Sequence, residues 1–142
     1  MADGGFPTEG MELTRILVVS DMGQSLPFYR DVLGATVFRE YGGTSVVLSF
    51  LDNWLLLVTG GEPTPDKPTV TFAPPTDPDD VSAAFTIRVP DCVVAYDVLK
   101  SRGAVFLTPP VSSQWETRAF FCDPAWLTVT KGTRRNFNKR HP

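Results

Sequence analysis

Apolar positions along this chain recur with two different periods, and the switches between them divide the sequence into short elements. From Leu13 to Val19 an apolar, β-branched run predicts a buried strand. The period then lengthens: Leu26, Tyr29 and Leu33 fall on one side of a helix predicted over about Gln24 to Leu33, with Phe28 and Val32 beside them. Asp21 and Ser25 are candidate caps, Gly34 ends the helix, and Pro27 fits only within its first turn, where no intrahelical N–H is needed. Three strands are predicted next, over Thr36 to Glu40, Ser45 to Leu51 and Trp54 to Val58, and the pairs Gly42-Gly43 and Asp52-Asn53 between them suit tight hairpins. The unit is βαβββ.

The same order returns about seventy residues later. Val19-Ser20-Asp21 is matched by Val89-Pro90-Asp91, and Val32-Leu33-Gly34-Ala35 by Val98-Leu99 and Gly103-Ala104. The second unit has a strand from Ala83 to Val89 and a helix from about Cys92 to Arg102, with Val94, Ala95, Val98 and Leu99 at helical spacing. Strands near Ala104 to Leu107, Arg118 to Cys122 and Leu127 to Lys131 complete it. Between the units, Pro63, Pro65, Pro68, Pro74, Pro75 and Pro78 mark a linker, in which Val70 to Phe72 could add a short edge strand. The expected organisation is a flexible extension over 1–12, modules over 13–60 and 81–132, a linker over 61–80 and a basic tail over 133–142, all one domain.

Charge adds an asymmetry. The net charge is -3, yet five of the 13 basic residues (Lys131, Arg134, Arg135, Lys139 and Arg140) stand in the last stretch of chain, which leaves the body acidic. That balance argues against a nucleic-acid partner, and no apolar run reaches the length of a membrane span. Cys92 and Cys122 lack C-x-x-C spacing and no basic-then-apolar leader precedes the first strand, so reduced thiols and a cytoplasmic location are expected. The body contains no histidine, because His141 is penultimate; Ser-His and Cys-His nucleophiles are therefore unsupported. Gly42-Gly43 and Gly60-Gly61 do not precede helices, which removes a phosphate cradle.

The stretch from Leu17 to Gly34 (L-x-V-V-S-D-M-x-x-S-L-x-F-Y-R-D-V-L-G), with the later I-R-V-P-D, R-G-A-V-F and F-F-C-D-P, resembles the vicinal oxygen chelate superfamily. That group includes glyoxalases, extradiol dioxygenases, fosfomycin-modifying enzymes and bleomycin-binding resistance proteins. The resemblance spans about Leu13 to Lys131 and implies an α+β fold: two βαβββ modules forming a curved, cupped mixed β-sheet with helices on the outside, assembled as a homodimer. In metal-dependent members a His, a His or Gln, and a Glu supply the ligands. The resemblance places Thr14, Ala84 and Thr130 at those positions. A hydroxyl and a methyl cannot replace the imidazole or carboxylate donors that a catalytic divalent ion needs, so neither metal nor other cofactor is expected.

A cup lined by apolar and aromatic side chains is then the expected site. Alternation directs Thr14, Ile16 and Val18 to one face of the first strand, and Ala84, Thr86 and Arg88 to the equivalent face of the second module. Trp54, Trp115, Phe120 and Trp126 are candidates to border the space, and Arg88, a charge amid strand residues, to pair an anionic ligand group; Arg118 has a weaker claim. The expected function is metal-free binding or sequestration of an organic, aromatic or anionic small molecule, without catalytic residues. Two alternatives stand beside it: an enzyme of glyoxalase or dioxygenase type using Glu40, Asp52 and Glu116 as unusual ligands, and an inactive structural or interaction subunit.

Overall fold

Strand β1 (Thr14–Val18) buries Leu17, and Val19 just beyond it, while leaving Thr14 and Ile16 exposed, so the alternation seen in the sequence sets its two faces. In the computed structural model, residues 5–77, 79–80, 83–122 and 130–135 are described, residue 122 and residues 130–135 by their backbone alone. Helix α1 (Met22–Pro27) begins two residues earlier than predicted, because Asp21 is the cap: its carboxylate accepts from Gly23 N at 2.9 Å. Ser25 is no cap but a buried residue inside α1. Pro27 therefore falls beyond the first turn. Lacking an N–H, it cannot continue the regular ladder, and the chain widens into a π-helical turn over Phe28–Val32, closed by Leu33 N on Phe28 O at 3.1 Å.

Strands β2 (Thr36–Tyr41), β3 (Ser45–Phe50) and β4 (Asn53–Val58) form the expected meander, and β4 returns parallel to β1, giving a sheet ordered β1-β4-β3-β2. The second hairpin turns one residue earlier than expected, on Leu51 and Asp52, both left-handed with φ of 51° and 61°. That backbone suits Asn-Gly far better than Leu-Asp. The pair Leu51→Asn with Asp52→Gly is expected to raise the unfolding free energy by about 1 kcal/mol. A urea midpoint that stays or falls would contradict this assignment.

The proline-rich segment is more than a linker. Gly61 and Phe72 exchange backbone hydrogen bonds at 2.9 Å, and Lys67 Nζ donates to Glu62 O and Val70 O while lying over the Phe72 ring. Gly60 makes the close approach possible: it has φ of 103°, and a Cβ there would meet Phe72 O at 2.6 Å. Gly60→Ala is accordingly expected to cost about 1–3 kcal/mol, read as a lowered urea midpoint; an unchanged midpoint would show that this contact is not needed.

The second module repeats the first. Strand β5 (Phe85–Val89), helix α2 (Cys92–Ser101), and strands β6 (Val105–Phe106), β8 (Thr117–Cys122) and β9 (Thr130–Arg135) form a sheet ordered β5-β9-β8-β6, the same connection order as the first sheet. A short strand β7 (Val111–Ser112), unforeseen in the sequence, pairs with β8. Asp91 caps α2, accepting from Val93 N and Val94 N. The helix buries Cys92 and half-buries Ala95 and Leu99, whereas Val94 and Val98, at the same helical spacing, are exposed. The last strand begins three residues later than predicted, so Arg134 and Arg135 belong to the sheet rather than to a tail.

One core joins the modules. Phe28, from the π-helical turn, meets Phe121 of β8 at 6.0 Å, Phe121 meets Phe106 at 5.6 Å, and Arg102 Nη1 donates to Val32 O at 3.1 Å. Helix α1 lies against β4 and α2 against β8 and β9, leaving the opposite sheet faces open. Among the described residues no helix is long and apolar enough to cross a membrane.

Candidate functional site

Register defines what each open face carries. On the first sheet Thr14, Ile16 and Val18 of β1 stand beside Trp54, Leu56 and Val58 of β4, and Val47 and Ser49 of β3 follow on the same face. Phe38 of β2, two residues from Thr36, lies on this face by plain alternation, and its ring meets Trp54 edge-on at 5.2 Å; a bulge between Val37 and Arg39 then brings Arg39, opposite Val47, to the same face. Arg39 lies over Phe38 at 5.8 Å, and the Trp54 indole N–H donates to Glu12 at 3.1 Å. The face is mainly apolar and partly open: Ile16 is 46% exposed and Phe38 61%.

The second sheet presents charge. Thr86 and Arg88 are exposed on β5, while Phe85 and Ile87 pack against the core. Across the strands, Arg88 pairs with Arg134 of β9, and Arg134 with Arg118 of β8, which sets three arginines in one cross-strand row. Thr86, Gly132 and Phe120 form the row beneath. The Arg118 guanidinium lies 5.1 Å over the Phe120 ring and pairs with Glu116 at 3.2 Å. Together with Thr108, Val111 and Ser113 these residues line a pocket of about 250 Å³. Asp31 and Asp66, which lie elsewhere, are held below the ordinary carboxylate range, Asp31 through its hydrogen bond from Arg30 and Asp66 through one from Thr64.

Of the residues singled out in the sequence, Thr14, Ile16 and Trp54 share one open face, and Thr86, Arg88 and Phe120 the other. Ala84 is exposed just before β5. Trp115 sits in the β7–β8 turn, 56% exposed, and does not line the Arg118 pocket. Trp126 lies outside the described residues. Phe38 carried a signal that was open to the alternation argument, since alternation from Thr36 puts it on the face of Trp54; the bulge, which leaves no trace in a period-2 pattern, hid Arg39. Arg15, which borders a separate pocket, carried the same signal as Arg88, a charge within an apolar strand, and was open to the same argument.

The residues that the resemblance sets at the ligand positions do not fit a catalytic metal. Thr14 offers an exposed hydroxyl and Ala84 a methyl, neither of which holds a divalent ion at neutral pH. Among the described residues no three His, Cys, Asp or Glu side chains converge, so Glu40, Asp52 and Glu116 do not form a substitute set.

Comparison with known proteins identifies the class. The family model of the glyoxalase/bleomycin resistance protein/dioxygenase superfamily matches residues 12–129, and the chain belongs to that superfamily. Among solved structures it is similar to a lactoylglutathione lyase from Agrobacterium tumefaciens, with 15% identity, TM-score 0.67, and coverage of 93% of this chain and 97% of that one. It is likewise similar to TnmS3, an antibiotic-binding protein from a Streptomyces species, with 19% identity, TM-score 0.60, and coverage of 89% and 95%. A superfamily member from Alicyclobacillus acidocaldarius matches with 18% identity, TM-score 0.65, and coverage of 94% and 97%. No curated protein matches the chain.

Proposed function

We propose that this protein binds and sequesters a small organic anion with an aromatic body on the open faces of its two sheets, without a metal and without altering it. What supports this reading is the donor set, since the resemblance puts Thr14 and Ala84 at the metal positions, together with the aromatic rings of Phe38 and Trp54 on one open face and Arg88 and Arg118 on the other. Trp54 and Phe38 supply a flat apolar surface, and Arg118 over Phe120 supplies charge beside a ring. Such a surface orients and desolvates a planar ligand. Among the described residues it brings together no nucleophile with a base, so binding is the expected end of the process.

Superfamily members often pair, and we infer a homodimer here, because Val93, Val94 and Val98 leave apolar area along α2, opposite the ligand faces, that a second copy could cover. Light scattering behind a sizing column should give twice the chain mass. A monomer at micromolar concentration would contradict it. A cytoplasmic location with reduced thiols completes the proposal.

Anilinonaphthalene sulfonate, an aromatic anion, is a suitable probe. Equilibrium dialysis should show saturable binding to the folded chain, and mass spectrometry of the dissociated complex should recover the dye unchanged. Failure to bind, or a chemically altered dye, would overturn the proposal.

A further inference from the structure

A second pocket is bordered by Trp54 and Thr86 from these open faces but is lined chiefly by residues of the helix side. It encloses about 310 Å³ where the start of β1, the β3–β4 hairpin and the start of β5 meet, and its lining includes Arg15, Phe50, Leu55, Phe85 and Ile87. Register fixes its side of the fold: Arg15 pairs with Leu55, a buried residue, and alternates with Thr14 and Ile16, so it faces the helix side. Phe85 and Ile87 pack against the same core, opposite to Thr86 and Arg88 on their own strand. Trp54 and Asn53 complete the border.

The pocket holds an arginine with one unanswered donor. Arg15 Nε is buried without a hydrogen-bond acceptor, the guanidinium lies 5.7 Å over the Phe85 ring, and no acidic residue is among those lining the space. Neither ion pair among the described residues involves Arg15. A buried donor left without a partner is costly, more so on a charged group, unless something supplies the acceptor. The walls are aliphatic and aromatic and the volume sits at the small end of the range for organic ligands. We propose that this pocket is a second binding site, for a compact aromatic carboxylate whose carboxylate meets the Arg15 guanidinium and whose ring lies among Phe50, Trp54, Leu55 and Phe85. Arginine suits this task because its planar fork receives both carboxylate oxygens.

Benzoate is the probe, titrated into the full chain and followed by ligand-observed NMR. Binding should weaken at least roughly tenfold in Arg15→Met, the scale of a lost charge-assisted hydrogen bond, and less in Arg15→Lys. Toluene, which lacks the carboxylate, should bind more weakly than benzoate. Leu13→Trp, at an 82% exposed position on the lining, should block the pocket without disturbing the core and decides the matter if Arg15→Met does not fold. Arg118→Gln should leave benzoate affinity unchanged, which separates this site from the one on the open faces. Absence of benzoate binding to the unaltered protein at about 10 mM, a concentration that detects even weak ligands, would overturn the proposal. So would equal affinity for toluene, or binding indifferent to Arg15 and Leu13.

Discussion

Phe121→Ala is expected to lower the unfolding free energy by about 3–5 kcal/mol, the usual cost of emptying an aromatic site in a core. The ring is fully buried and meets Phe28 and Phe106, so its loss opens a cavity at the junction of the two modules rather than at the margin of one. A domain of this size has about 5–15 kcal/mol in total, so the variant should be marginal at room temperature. Urea unfolding monitored by far-ultraviolet circular dichroism checks this, and a loss under about 1 kcal/mol would mean that the modules do not share this core. Ligand binding should fail with it, since the open faces depend on both sheets being held.

The second large effect concerns charge. Replacing Arg88 and Arg118 together by glutamine should weaken anilinonaphthalene sulfonate binding by roughly a hundredfold or more, because each charge-assisted contact with an anion contributes about 1.5–3 kcal/mol. The two residues occupy one cross-strand row with Arg134 between them, and Arg118 is already aligned over Phe120. Both are exposed on the sheet surface, and the fold should survive the change. A neutral aromatic amine of the same ring system should lose little affinity in the variant. If dye and amine weaken equally, the arginines act through packing and the anionic preference is wrong.

Much of the fold is legible because its determinants are local. Asp21 and Asp91 cap the two helices as their positions before apolar runs imply, and the alternation in β1 and β5 assigns Thr14, Ile16, Thr86 and Arg88 to the faces they occupy. The repeated order of elements returns as two sheets with one connection pattern. What escapes the sequence depends on exceptions to periodicity. The β2 bulge that brings Arg39 beside Phe38, the π-helical turn after Pro27, and the left-handed turn at Leu51 are each decided by one or two residues against the local trend. Helix α2 illustrates another limit: Val94 and Val98 have the spacing of a buried stripe, yet Cys92, Ala95 and Leu99 take the inner side because the sheet beneath, not the pattern, chooses among neighbouring stripes. The arginine row needed the register of β9, and a strand shifted by three residues changed which arginines it contained.

A single titration tests most directly whether this scaffold binds an organic anion without a metal. Chelator-treated protein is titrated with anilinonaphthalene sulfonate, and bound metal is counted on the same sample by inductively coupled plasma mass spectrometry. The account predicts saturable binding of one dye per chain with no stoichiometric transition metal. Binding that appears only after Mn, Ni, Zn or Fe is restored, with near-stoichiometric uptake of that metal, would contradict it.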